Sequence, residues 1–221
     1  MLSTRRIYKL VKLPNQAIMQ DNIPEIHFQV SSQAIVSWNH LLREGVDIEV
    51  QAGRSVQDLL LRELNIPWDT VRDLIKTIFL NQKPVDDLQT TVPHQAQLTL
   101  SGAMPGFLGA CMRINSPYAS MRESISNSQT GQTNNDISGS KAIVRLKLFN
   151  VLVPELGSLV LQKGILLTRQ RFADHLKNLS NDFWKSCHQI KFNQNSFPPD
   201  ISAILESLES CEYLHVFVEI L

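Results

Sequence analysis

Cysteine is scarce in this chain of 221 residues, with three copies widely separated at Cys111, Cys187 and Cys211. A stapled secreted domain would carry more cysteines, in pairs, so the count favours a reducing, cytoplasmic setting. The sequence also lacks a run of about 18 apolar residues, which argues against a membrane-spanning helix. The basic first residues have no continuous apolar stretch behind them, so no secretory signal is expected.

An excess of either charge is also missing. Lys plus Arg and Asp plus Glu both number 21, so the formal net charge is zero. A nucleic-acid binder or a polybasic membrane-surface protein would carry a basic excess, so we expect neither kind of partner. The hydrophobic fraction of 43% and the charged fraction of 19% are ordinary for a soluble protein with a packed core.

Motifs of catalysis and of metal binding are absent as well. The six histidines are scattered, and neither Cys-x-x-Cys nor His-Glu-x-x-His occurs, so we expect no metal site and no cofactor. Cys187 and His188 are an adjacent thiol and imidazole, but neighbouring side chains on a helix diverge by about 100°. We therefore expect no catalytic residue and favour a role that is not enzymatic.

The clearest local pattern lies between residues 46 and 106 and predicts strand, helix, strand, turn and strand in that order. Its markers are the alternating Val46, Ile48 and Val50, the helix cap Ser55 with Asp58, the strand formers from Leu74 to Leu80, the turn residues 81–84, and the alternating Leu98 and Leu100. This region resembles the ubiquitin-like β-grasp proteins and is most similar to the sulfur carriers of thiamine and molybdopterin synthesis. The stretches that carry the resemblance are Gly53–Leu60, Phe79–Val85 and Gln97–Gly102.

The resemblance implies a β-grasp fold but not the chemistry of the sulfur carriers. Those proteins end in a free Gly-Gly whose carboxylate is adenylated and converted to a thiocarboxylate. At the matching place this chain has Gly102 and Gly106, which are not adjacent, and it continues to Leu221. An internal peptide carbonyl cannot be activated in this way, so sulfur-carrier activity would first require cleavage after Gly106.

An apolar, glycine-bearing segment at residues 103–126 contains the candidate binding residues. These are Met104, Gly106, Phe107, Gly109, Met112, Arg113, Tyr118 and Arg122. Methionine adapts to irregular surfaces, so one interpretation is that Met104–Met121 binds a protein partner. A second is a small anion- or nucleotide-binding enzyme or sensor that uses residues 102–122, with Arg113 and Arg122 holding the anion. A third is a chain crossing that covers the open edge of the sheet.

The polar stretch 127–140 predicts a flexible linker and therefore two modules. We expect an N-terminal arm at 1–22, a β-grasp-like domain at 23–126 and a small strand–helix–strand domain at 141–221, which together make an α+β protein. The function that the sequence favours is a non-catalytic protein-binding or accessory module. The partner, the pathway and the oligomeric state are not specified by any motif.

Alternation and capping residues predict the elements of the second domain. They indicate a strand at Val144, Leu146 and Leu148, a helix from Pro154 to Gly164, a helix capped by Thr168 that extends through Phe183 and Trp184, a helix capped by Asp200, and a last strand from Leu214 to Ile220. We expect the last strand to pair with residues 142–150.

Overall fold

The structure, a computed structural model, describes residues 23–125, 140–193, 195–197, 201–208 and 211–221. The expected N-terminal arm at 1–22, the expected linker apart from residue 140, and the expected helix cap Asp200 lie outside the described residues.

Ten strands in the described part of the chain form one mixed sheet. They are β1 Glu25–Val30, β2 Val46–Gln51, β3 Thr77–Leu80, β4 Lys83–Pro84, β5 Gln97–Ser101, β6 Lys141–Phe149, β7 Ile165–Thr168, β8 Cys187–Phe192, β9 Asn195–Phe197 and β10 Tyr213–Ile220. The sheet and its helices make the protein a mixed α/β structure. Among the described residues, no helix combines the length and the apolar character that a membrane crossing requires.

The helices are mostly short. They are α1 Asn39–Glu44, α2 Val56–Asp58, α3 Trp68–Leu74, α4 Gly106–Met112, α5 Leu152–Lys163, α6 Arg169–Lys177, α7 Asn181–Lys185 and α8 Ile201–Ser207. A π-helical turn at Leu59–Glu63 continues α2, and 3₁₀ helices lie at Ser32–Trp38 and Ala119–Ile125.

The succession of parallel and antiparallel pairings in the sheet is the same when it is counted from either edge. Its order is β4-β3-β5-β6-β2-β7-β10-β1-β8-β9. From each edge the successive pairings are antiparallel, antiparallel, parallel and antiparallel, and β2 meets β7 antiparallel at the centre. The ten strands therefore divide into two halves of five with matching geometry.

A glycine precedes each of the two central strands in the same backbone conformation. Gly45 before β2 has φ 106° and ψ 133°, and Gly164 before β7 has φ 95° and ψ 137°. A Cβ on Gly45 would lie 2.8 Å from Cγ of Lys147 on β6, and one on Gly164 would lie 2.7 Å from Nε2 of His215 on β10. Positive φ and close neighbours both require glycine at these two equivalent positions.

One face of each long strand is buried in a shared hydrophobic core. Along β6 the buried residues are Ala142, Val144, Leu146 and Leu148, and they alternate with residues of intermediate exposure. The core continues into the helices through an aromatic cluster in which Phe28 on β1 lies 5.5 Å from Trp38 and 6.1 Å from Phe172, between ring centroids. Strands from both sides of residues 127–140 contribute to this core.

Several local predictions are confirmed. The Ser55 hydroxyl accepts a hydrogen bond from the Asp58 N–H at 3.1 Å, and the Thr168 hydroxyl accepts one from the Arg171 N–H at 3.2 Å. Both therefore cap the helices that follow them. The predicted turn at 81–84 is confirmed at Asn81 and Gln82, which have left-handed φ of 50° and 67°, whereas Lys83 and Pro84 form β4.

The predicted pairing of the last strand is wrong. β10 pairs with β1 in parallel and with β7 antiparallel, whereas β6 lies between β2 and β5. Both β6 and β10 have one apolar face, so alternation alone did not determine their neighbours. Because β1 and β6 each pair across residues 127–140, the sheet does not confirm a division into two separate modules, and the predicted domain boundaries stay predictions.

One helix prediction and one strand prediction are also corrected. The helix capped by Thr168 ends at Lys177, and Phe183 and Trp184 lie in α7, which has its own cap. There the Ser180 hydroxyl accepts a hydrogen bond from the Phe183 N–H at 3.2 Å. Leu74, expected in a strand, is the last residue of α3, and β3 begins at Thr77.

Candidate functional site

The segment that follows β5 leaves the sheet through a tightly packed glycine. Gly102 is buried, and a Cβ there would lie 2.9 Å from Cγ2 of Val151. Pro105 then adopts an extended conformation, and Gly106, at φ 77°, begins α4. Glycine at 106 allows the left-handed turn into this short helix.

Gly109 has a packing role inside the segment. A Cβ at this position would lie 2.6 Å from the carbonyl carbon of Met104, closer still to its oxygen, so α4 sits directly on the preceding backbone. The space that the sequence suggested for a ligand at Gly109 is therefore filled by Met104. Nothing lies within 4 Å of a Cβ placed on Gly106, so that glycine faces open space.

A buried arginine anchors the segment to the body of the protein. Arg122 is 2% exposed, and its Nε donates to the Cys111 carbonyl at 2.5 Å. Its Nη2 donates to the Asp86 carboxylate at 2.6 Å and to the Arg113 carbonyl at 3.3 Å. Asp86 also accepts a hydrogen bond from the Asn115 N–H at 3.2 Å. One guanidinium thus connects the end of α4, the 3₁₀ helix and the loop after β4.

The anchored segment carries four exposed apolar side chains, which we call the display patch. They are Phe107 at 62%, Leu108 at 69%, Tyr118 at 43% and Met121 at 67% exposure. The rings of Phe107 and Tyr118 meet edge to face, with 5.5 Å between their centroids. Single exposed apolar residues are common on protein surfaces, whereas four lie on this one segment.

A cleft of about 330 Å³ lies between α3 and the chain that follows α4. Its apolar lining consists of Trp68, Val71, Ile75, Ile78, Leu88 and Ile114, and its polar lining consists of Arg72, Lys76, Arg113 and Asn115. The Ile114 N–H donates to the Lys76 carbonyl at 2.9 Å, which fixes one wall against the other.

The described residues contain no cluster of three metal-ligating side chains. Cys187 is buried, and burial raises the pKa of its thiol to about 11, which disfavours the reactive thiolate at neutral pH. His188 is exposed on the same strand, so the two neighbouring side chains point to opposite faces of the sheet. This pair is therefore not arranged as a nucleophile and its base.

The structure separates the candidate residues into different roles. Phe107 and Tyr118 are on the display patch, Arg113 is exposed at the cleft, and Met104 and Met112 are partly buried. Arg122 and Gly109 are buried inside the segment, and Gly106 forms its exposed left-handed turn.

Leu108 and Met121 lie within the predicted contact segment Met104–Met121 but were not among the individually named candidate residues, and Trp68 was omitted entirely. Leu108 and Met121 are among the apolar residues by which the segment was recognised, so the same apolar composition could have identified them. Trp68 is 48% exposed on a short helix, and a large aromatic residue next to Pro67 and Asp69 is the signal that could have found it.

Comparison of the chain with protein-family models, with curated proteins and with solved structures gives no match.

Proposed function

We propose that this protein is a non-catalytic binding module that holds a partner protein on the display patch of Phe107, Leu108, Tyr118 and Met121. The observation that carries the proposal is the combination of exposed apolar side chains with a buried anchor beneath them. Exposed apolar side chains bind a partner best when their backbone is already ordered, because less conformational entropy is then lost on binding.

The chemistry of the patch suits protein recognition. Phe and Tyr provide large rigid surfaces, and Met adapts to the shape of a partner. The Phe107 and Tyr118 rings support each other, so their side chains are held in place before a partner arrives. Interfaces of this kind have an apolar centre and draw most of their binding energy from a few such residues.

We also propose that residues 46–101, with β6, form a β-grasp-like scaffold for the patch. In support, β2, a capped helical stretch from Val56, β3, a tight turn and β5 follow one another in the predicted order. The display patch begins a few residues after β5, at the place where the sulfur carriers that this region resembles end in Gly-Gly. The parallel strand β6 lies next to β5 in the sheet.

The alternative of an anion site formed by Gly106, Arg113 and Arg122 has less support than it had from the sequence. The guanidinium of Arg122 is buried and donates to two carbonyls and a carboxylate of the protein itself. Arg113 is the member of this group that faces solvent.

The proposal is tested by affinity purification of the full chain from extracts of its source, followed by quantitative mass spectrometry. A Leu108→Ser, Met121→Ser variant should lose the specific partner while keeping the melting temperature, because both side chains are exposed. The matched control is Val36→Ser, since Val36 is 64% exposed on a different element. The same set of recovered proteins for both variants would contradict the proposal.

A further inference from the structure

The cleft between α3 and Ile114 is formed by residues other than those of the display patch. None of its lining residues belongs to the patch. Its volume of about 330 Å³ lies at the lower end of the range for small-molecule sites, roughly 300–1,000 Å³. The cleft therefore requires a separate explanation.

The floor of the cleft is apolar and rigid. Val71, Ile75 and Ile78 are at most 4% exposed and also belong to the hydrophobic core of the protein. These core side chains support the accessible apolar lining, which consists of Trp68, 48% exposed, and of the partly buried Leu88 and Ile114. An alkyl or aryl group could cover this surface without any rearrangement of the chain.

The polar lining of the cleft has only one sign of charge. Three cations, Arg72, Lys76 and Arg113, line it, and no carboxylate does. Arg72 is neutralised from outside the cleft, with Asp69 at 2.9 Å and Asp73 at 2.8 Å. The Lys76 ammonium donates to the carbonyl of Arg72 at 3.0 Å and keeps further donors available.

Arg113 is the cation that is available for a ligand. In the described part of the chain its guanidinium makes no hydrogen bond and no ion pair. Its backbone is fixed, because the Arg113 carbonyl accepts from Arg122 and the next residue, Ile114, donates to Lys76. A free guanidinium on an ordered backbone is suited to a planar anion such as a carboxylate or to a phosphate.

We propose that this cleft binds a small amphipathic anion, with an apolar tail against Trp68, Leu88 and Ile114 and a carboxylate or phosphate head at Arg113 and Lys76. Trp68, 48% exposed, lies in the lining and contacts the ligand with its ring. This site goes beyond the proposed protein contact and can fail without affecting it, because the two use different side chains.

The test titrates the full chain with octanoate, with octyl phosphate and with 1-octanol, and follows the three indole N–H signals of Trp38, Trp68 and Trp184 by NMR. A Trp68→Phe variant assigns the Trp68 signal. We expect saturable shifts of that signal with the anions, and about 10- to 100-fold weaker binding of 1-octanol, since a charge-assisted hydrogen bond contributes about 1.5–3 kcal/mol. The tail of octyl phosphate is one methylene longer than that of octanoate, so an affinity difference beyond the contribution of one methylene identifies the preferred head group.

Two arginine variants localise the charge. Arg113→Gln should weaken the binding of both anions several-fold and leave 1-octanol unchanged. Arg43→Gln should change neither, because Arg43 is exposed on α1 and is not part of the cleft. Equal binding of octanoate, octyl phosphate and 1-octanol would overturn the proposal, as would the absence of binding or equal effects of the two arginine variants.

Discussion

The Arg122 guanidinium lies 2.6 Å from the Asp86 carboxylate, with the arginine side chain almost wholly buried and the aspartate partly exposed. The same guanidinium holds the backbone of the segment that carries the display patch. Stability of the segment and presentation of the patch therefore depend on one side chain, and this dependence can be measured.

Replacing Arg122 by Met should lower the free energy of unfolding by about 1–3 kcal/mol, because the Cys111 carbonyl loses its side-chain donor and the Asp86 carboxylate loses its ion-pair partner. Urea denaturation provides the measurement. Arg62→Met is the control, since the Arg62 side chain is 68% exposed in an ion pair with Asp58 and should matter by less than about 0.5 kcal/mol. Equal losses in the two variants would show that Arg122 is not an anchor.

Replacing a serine or threonine that caps a helix should lower stability more than replacing a serine whose side chain makes no capping hydrogen bond. Ser55→Ala, Thr168→Ala and Ser180→Ala each remove a bonded cap hydroxyl and should cost about 1 kcal/mol. Ser31 precedes a 3₁₀ helix without a side-chain hydrogen bond to it, so Ser31→Ala should cost clearly less. Chemical denaturation of the four variants gives the comparison, and a Ser31 effect as large as the others would refute it.

His175 makes the protein sensitive to acid. It is 2% exposed, and in the described part of the chain neither ring nitrogen has a hydrogen-bond partner. Burial, with smaller effects from His40 and Arg171, lowers its pKa from 6.5 to about 3. Between these values the unfolded chain binds a proton that the folded chain does not, so stability falls as the pH falls. One such group gives a slope of about 1.4 kcal/mol per pH unit.

The measurement of this effect compares unfolding free energies at pH 7 and pH 5. The native protein should lose about 2 kcal/mol more over this interval than His175→Gln, which has no titrating ring. His188→Gln is the control, because His188 is exposed on β8. If His175→Gln kept the full pH dependence, another group would be responsible for it.

Three glycines with positive φ should differ in their tolerance of alanine. Gly53, at φ 75°, has nothing within 4 Å of an added Cβ, so Gly53→Ala should cost only the backbone strain of about 1–2 kcal/mol. Gly164→Ala should cost the most, because the rings of His215 and Phe217 block the added atom. Gly45→Ala should be intermediate, since its close neighbours are the side chains of Lys147 and Arg145, which are more flexible than rings and lie farther from the added atom. Melting temperatures in any other order would contradict this explanation.

Local structure could be predicted from the sequence where local chemistry determines it. The caps Ser55 and Thr168 and the left-handed Asn81 were identified because each depends on a few neighbouring residues. The neighbours of β10 were not, because any strand with one apolar face satisfies the same alternation. Pairing between distant strands depends on the whole sheet, and β1 and β10 are separated by most of the chain.

The candidate site was predicted only in part, because its geometry depends on contacts between residues that are distant in sequence. Apolar composition identified the segment at 103–126, but composition cannot show which of two arginines is buried. Arg113 and Arg122 had the same expected role, and their partners separate them: Asp86 lies far away in sequence and binds Arg122. The cleft was missed because Trp68 and Arg113 belong to different elements that only the fold brings together.

The position of β1 in the sheet has a consequence for biosynthesis. Its neighbours are β8 and β10, so after β1 has left the ribosome it finds no pairing partner until these much later strands have been translated. Until then its open edges can associate with other nascent chains, and pairing over such a long separation is slow. Premature termination shortly before Tyr213 should therefore be as harmful to this protein as a defect in the middle of its core.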